Sequence, residues 1–302
     1  MNKKQNGMPL APIALFTFKR PEHTRRTLES LALNPEFAES PLFIYCDGAR
    51  SEAESAQVEE TRRLVRSWQH PNKTIIERDR NWGLANSIIA GVTDLCESHG
   101  RVIVVEDDLF VSPVFINYLN TALEHYANEP SVMQVSAYMF PVSILASYDT
   151  VMLPFTASLG WATWSRAWKH FDPNMTGYEK LKIDRVLRRK FDMDGAYPYF
   201  RMLKRQSEGK VDSWAIRWYL SVFLQNGLVV FPRHTLVRHD GYDDTATHAT
   251  RQDQSVAKEV WLDKINILSH VEEDSAAAHV VASFFRKERS ILNRVKARLG
   301  FV

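Results

Sequence analysis

Three consecutive carboxylates, Glu106, Asp107 and Asp108, are the residues best suited to chemistry in this chain. Acids this close repel one another, and a hard divalent cation taking oxygen ligands relieves the repulsion while keeping them ionised. Magnesium or manganese fits such a set, and both also bind diphosphates. The bland alternative is a solvated acidic loop. What favours the metal is the sequence on either side. Val102, Ile103, Val104 and Val105 form an apolar, β-branched run without polar alternation, the pattern of a strand buried on both faces of a parallel sheet. Open α/β sheets place their ligands at the carboxyl ends of such strands. After the acids, Ser112 and Pro113 suit the cap and first position of a helix with Phe115, Tyr118, Leu119 and Ala122 on its apolar face.

The elements that must position these acids alternate strand and helix patterns over residues 12–135. Strands are expected at 13–18, 42–46, 74–77 and 132–135 around the acidic-motif strand, with helices from Pro21, over 51–68 and over 84–98. Such alternation predicts a parallel, doubly wound sheet whose loops after the strands open on one side. Lys19-Arg20, Asp47-Gly48, Asp79-Arg80-Asn81 and the triple carboxylate would then share a cleft suited to a nucleotide diphosphate and its metal. Singly, each is more often just a solvated charge.

From Tyr148 the pattern changes, giving an α-rich second half. Trp161, Trp164 and Trp168 fall within nine residues, either a wall for stacking sugars or a large core. Charged helices are expected at 179–191 and 197–208. Asp212-Ser213 caps an apolar helix that Asn226-Gly227 stops, and 228–231 is a strand. Residues 238–248 form a polar loop rich in metal-capable side chains. The expected division is an α/β half carrying the acidic motif (10–147), a second half packed on it (148–250) and a helical tail (251–302).

Composition narrows the classes further. A formal charge of +2 over 302 residues gives no global signal for nucleic acid. Cys46 and Cys96 lack metal-ligand spacing and read as buried thiols in a reducing cytosol. The basic-then-apolar start imitates a secretion signal, but Pro9 and Pro12 interrupt it and Lys19-Arg20 ends it. No run approaches the roughly 20 apolar residues of a membrane span. In the tail, Ile291, Leu292, Val295 and Leu299 fall on one helical face flanked by Arg286, Arg289, Lys296 and Arg298. This basic amphipathic pattern fits either a docked terminal helix or peripheral contact with a membrane surface.

The order PIALFTFKRPEHTRRTL, FIYCDG, NWGLANSIIAG and VIVVEDDLFVSPVFINYLNTAL resembles the nucleotide-sugar domain of GT-A glycosyltransferases. It is most similar to the N-acetylglucosaminyltransferase I type, whose Glu-Asp-Asp motif also ends a strand before a Pro-Phe helix. GWATWSRAW and DSWAIRWY are shared with bacterial sugar transferases of that type, and the similarity covers about residues 10–250. It implies a Rossmann-like GT-A fold, a metal cofactor (Mn2+ or Mg2+), a nucleotide-sugar donor, UDP-linked, and a glycan or lipid-linked glycan acceptor in the cytoplasm. Asp108 would bind the metal, with Glu106 and Asp107 toward the ribose and donor sugar. Asp47 would meet the uracil base, Arg20 the phosphates, and His248 the metal or diphosphate. Asp212 stands beside the tryptophan that follows the family's catalytic base. Strict register puts Ser213 at that position, and Asp240, Asp243 and Asp244 of the late loop are rival bases.

Such residue types suit inverting sugar transfer. A cation and basic side chains meet the charge of the leaving diphosphate, and one carboxylate takes the acceptor's proton. A sugar-nucleotide nucleotidyltransferase would need a glycine-rich loop after the first strand, and Thr17-Phe18-Lys19-Arg20-Pro21 contains no glycine. A P-loop is absent too. An Asp-nucleophile phosphohydrolase would carry its acids after the first strand, not the fourth. A non-catalytic carbohydrate-binding relative would have no need for Asp108, Asp47 and Arg20.

Overall fold

The computed structural model describes residues 9–240 and 260–290. Its first half follows the predicted alternation: β1 (Ile13–Thr17), α1 (Pro21–Ala32), β2 (Leu42–Cys46), α2 (Glu52–Ser67), β3 (Lys73–Glu77), α3 (Leu84–His99) and β4 (Arg101–Glu106). β1 pairs in parallel with both β2 and β4, and β2 with β3. Every residue of β1, and of β4 up to Val105, is buried. Each such apolar side chain contributes roughly 1.5–3 kcal/mol when taken from water. The acidic triplet therefore hangs from a strand buried along its length up to the acids. Cys46 and Cys96 are free buried thiols, as expected.

Past Glu106 the chain forms a short strand, β5 (Leu109–Val111), and then α4 (Phe115–His125). The helix starts two residues later than Pro113 suggested. Ser112, the expected cap, is fully buried, and its hydroxyl donates to the Trp261 carbonyl of the returning chain. Its own carbonyl accepts from the Asn34 side chain (3.0 Å). The residue ties three segments together instead of starting a helix.

The rest of the described chain comprises β6 (Val132–Ser136), β7 (Thr150–Leu153), β8 (Trp161–Trp164), α5 (Ser165–Trp168), α6 (Tyr178–Ile183), α7 (Arg185–Phe191), α8 (Tyr199–Ser207), α9 (Trp214–Leu224), β9 (Leu228–Pro232), β10 (Val237–His239) and α10 (Ser275–Glu288). One sheet runs β3-β2-β1-β4-β8-β6-β9-β7. The expectation of a parallel sheet is corrected here. β8 lies between β4 and β6, antiparallel to both, and β7 is antiparallel to β9. The tryptophan-rich run is the cause. Trp161 and Ala162 are fully buried in β8, and Trp161 stacks on Trp214 with centroids 5.0 Å apart. Trp168 lies 5.0 Å from Trp218. These rings are core, not a sugar-stacking wall. The second half thus supplies strands as well as helices.

One helical expectation changes for a local reason. The helix expected over 179–191 is broken by Asp184, whose carboxylate accepts the N–H groups of Val186 and Leu187 (2.9 Å each) and so starts α7 afresh. In the tail, α10 covers the residues before most of the basic amphipathic pattern. Asp274 caps α10, and Phe285 packs 4.9 Å from both Phe140 and Tyr197. Ile291, Leu292, Val295 and Leu299 fall outside the described residues. Among the described residues no helix is long and apolar enough to cross a membrane.

Candidate active site

Register brings the first and fourth strands' loops side by side. Phe16 of β1 lies opposite Glu106 of β4, so the chain leaving β1 passes directly over the acids. The Phe18 N–H donates to Asp107 Oδ2 (3.1 Å), and Thr27 Oγ1 of α1 donates to the Asp107 carbonyl (2.9 Å). Arg20, buried at the mouth of α1, donates from Nη1 to Asp108 Oδ2 at 2.8 Å. A second device comes from the far end of the chain. β10 pairs antiparallel with β5, His239 opposite Leu109. That ribbon sets His239 Nε2 3.2 Å from Asp108 Oδ2, while the Asp240 N–H donates to the Asp108 carbonyl (2.8 Å). His239 is the site residue that sequence reasoning did not assign. Its signal was the charged Arg238-His239-Asp240 run directly after a strand-like Leu236-Val237.

The charge balance is unequal. Burial, reinforced by Asp108 and, for Glu106, by Asp107 as well, pushes the Glu106 and Asp107 carboxyls well above the usual carboxylate range. Burial would raise Asp108 as well, but His239 and Arg20 outweigh it and hold that carboxyl below its ordinary value. Two of the three acids are thus held toward their neutral forms, and a divalent cation beside them would favour the ionised ones. Among the described residues no three His, Cys, Asp or Glu side chains converge closely enough to cage a metal by themselves. That suits a cation held by one or two protein ligands and completed by substrate phosphates. Asp108 and His239 are the pair placed to hold it.

Asp47 follows β2 and is buried. Its Oδ1 accepts from the Gly48 and Trp82 N–H groups (2.9 and 2.8 Å) and its Oδ2 from Gly83 N–H (3.0 Å). Asn81 Nδ2 donates to the Gly48 carbonyl (2.8 Å), and a Cβ on Gly48 would stand 2.4 Å from the Arg80 carbonyl carbon. The loop between β3 and α3 is therefore clamped onto Asp47-Gly48. Arg78 lies over the Trp82 ring at 3.8 Å, and the Trp82 indole N–H is buried without a partner among the described residues. Only the Asn-Trp-Gly before α3 hints at this Arg78–Trp82 pair in the sequence.

With this geometry in view, the comparisons with known proteins decide the family. The GNT-I family matches residues 1–191. The chain belongs to the GNT-I family. This bears out the GT-A glycosyltransferase resemblance and its α/β sheet. Solved structures are more distant. The mannosyltransferase PcManGT from Pyrobaculum calidifontis, determined with GDP-Man and Mn2+, is 15% identical over 53% of this chain and 45% of that chain, TM-score 0.37. GalNAc-T7, determined with UDP, GalNAc and Mn2+, is 9% identical over 76% of this chain and 43% of that one, TM-score 0.47. S. aureus TarS (residues 1–349) is 12% identical over 73% and 57%, TM-score 0.39. The chain spans less than half the length of the first two. No curated protein sequence matches it.

The base candidates of this family member are only partly in view. Asp212 precedes the Ser213 cap of α9, with its side chain 56% exposed and paired to Arg217 Nη2 at 2.8 Å. Two residues on, Trp214 stacks on Trp161, which lies opposite Val104 of β4. The start of α9 therefore opens toward the same pole of the sheet as the acidic triplet, although no contact joins Asp212 to the triplet among the described residues. Ser213 has its Oγ turned to Ile216 N–H (3.4 Å). Asp240 is held by Arg238 (2.7 Å). His248, Asp243 and Asp244 lie outside the described residues.

Proposed function

We propose that the protein is a divalent-metal-dependent glycosyltransferase that moves a sugar from a UDP-linked donor to a hydroxyl of a bacterial surface-glycan acceptor, with inversion. The observation that carries this reading is the convergence of Arg20, Asp108 and His239 at the carboxyl ends of β1 and β4 in a member of the GNT-I family. When bound, a manganese or magnesium ion would neutralise charge on the departing diphosphate. The chain's own part begins with Asp108 and His239, which would hold that ion. Arg20, fixed by Asp108 and always charged, is placed for a phosphate oxygen. Glu106 and Asp107 lie toward the ribose and donor sugar. Asp47, by clamping the loop 78–83, shapes the edge that meets the base. Asp212, oriented by Arg217, takes the proton of the attacking hydroxyl, with Asp243, Asp244 and Asp240 as the rivals. One direct displacement needs no second nucleophile and inverts the anomeric centre.

In this reading residues 10–147 bind the donor and 148–250 the acceptor, with 251–302 as a tail. The work is done in the cytoplasm on a glycan or lipid-linked glycan. Any peripheral membrane contact of the tail would involve the carboxyl end of α10 and the residues after it. A screen of nucleotide sugars by thermal shift with manganese tests the donor class, since a binder stabilises the fold by mass action. Stabilisation by a UDP-sugar with slow hydrolysis of the donor is the expected result. Stabilisation without turnover on any acceptor would favour the non-catalytic relative, and no stabilisation by any nucleotide sugar would overturn the proposal.

A further inference from the structure

The three short helices α6, α7 and α8 carry an unusual surface. Each spends a single residue as an anchor in the core: Leu181, Phe191 and Leu203, all fully buried. With the inward positions filled, the apolar Ile183 and Val186 are left 80% and 70% exposed. Single exposed aliphatics need no explanation, but two within four residues do. Their setting is strongly basic. Residues 178–190 hold six Lys and Arg against Glu179 and Asp184, a net charge of +4, whereas the whole chain carries +2. The remainder is therefore net −2, and the positive charge is concentrated where the apolar side chains protrude.

The patch continues onto a second element. Val186 and Lys190 are four apart in α7 and share one face. Lys190 lies on the rim of a 480 Å3 cavity together with Arg286 and His279 of α10. Just beyond α10, Arg289 donates to the Ala196 carbonyl (2.8 Å), which fixes that helix's basic end against the connection between α7 and α8. We infer that the face formed by α6, α7, α8 and the carboxyl end of α10 docks on an anionic lipid surface. Its cations meet the phosphates, and Ile183 and Val186 enter the headgroup boundary. A nucleic acid would use the charge but offer nothing to the two aliphatic side chains. This inference rests on charge and exposure alone and stands apart from the sugar-transfer reading.

Sedimentation of the full chain tests it, with vesicles of pure phosphatidylcholine and of phosphatidylcholine mixed with phosphatidylglycerol. The protein should pellet only with the mixed vesicles, and less as salt is raised. Reversing two exposed cations, Arg185→Glu with Arg189→Glu, should weaken binding on the order of tenfold or more. Ile183→Ser with Val186→Ser, which touches no buried contact, should weaken it severalfold at unchanged thermal stability. Free heparin should not discriminate the serine variant from wild type, because only a bilayer uses the aliphatic pair. Failure to pellet with anionic vesicles would overturn the inference. So would pelleting that ignores both double variants, or a serine variant that binds vesicles as well as wild type, which would point to a polyanionic partner instead.

Discussion

Replacing Asp47 by alanine should loosen the loop 78–83 before it alters anything else. The carboxylate accepts three N–H groups, but the Gly48 bond is local, so the loss concentrates on Trp82 and Gly83. A buried donor left without its partner costs about 1–3 kcal/mol. Trp82 and Gly83 are half-buried, so water can reach them and part of that cost is repaid. Taking the lower part of the range for each gives a destabilisation of about 2–4 kcal/mol. For a domain of this general size that lowers Tm by roughly 4–12 °C. Asp47→Asn keeps one acceptor but aims an N–H at a second donor, so it should lose at least half as much. Thermal denaturation supplies the first readout, and hydrogen exchange at residues 78–83 the second, with faster exchange expected there and little change in β4. Nucleotide binding should weaken in step with the exchange. A Tm for Asp47→Ala within a degree of wild type, with unchanged exchange at Trp82 and Gly83, would refute the clamp. Asp47 would then be free to serve the base alone.

Other consequences are simpler to state. Asp212→Asn should lower kcat about a hundredfold or more while leaving donor affinity nearly intact, because a base acts in the transition state; a near-wild-type variant alongside a dead Asp243 or Asp244 variant would move the base to the late loop. Gly91→Ala puts a Cβ 2.9 Å from the Phe16 and Tyr45 rings and should cost about 1–3 kcal/mol by overpacking, read as a lower denaturant midpoint. Burial pushes the Cys46 thiol up to about 11 and the Cys96 thiol up to about 12, so neither should react with a thiol reagent at pH 8 until the chain is unfolded. The sign follows from linkage: above about pH 9 the unfolded chain gives up these protons first, so stability should decline from there as pH rises, and less so in a Cys46→Ala, Cys96→Ala chain.

Much of the first half was legible in the sequence because its signals are local. The β-branched run of β4, Pro21 at the start of α1 and Asp-Gly after β2 each announce themselves within a few residues. Arg20 and Asp108 could be assigned to one site because parallel strands put their carboxyl ends together. What escaped depends on distant partners. Nothing local says that Trp161–Trp164 inserts as an antiparallel strand between β4 and β6; aromatic density fits core and binding wall alike. His239 reaches Asp108 only through the β5–β10 pairing, which joins residues more than a hundred apart. Ser112 looks like a helix cap until Trp261 returns to claim its hydroxyl. Asp184 was readable in principle, since an aspartate two residues before apolar Val186 is an ordinary cap, but the surrounding charge periodicity hid the break.

The central claim is that Asp108 organises metal-dependent donor binding, and calorimetric titration of a UDP-sugar into wild type and Asp108→Asn, each with manganese and with excess chelator, tests it most directly. Wild type should bind with manganese and lose at least tenfold in affinity in chelator. Asp108→Asn should keep its far-ultraviolet circular dichroism and its cooperative unfolding but show no manganese-dependent gain. Equal wild-type affinity with and without the metal, or a folded Asp108→Asn chain that still binds donor only when manganese is present, would contradict the account.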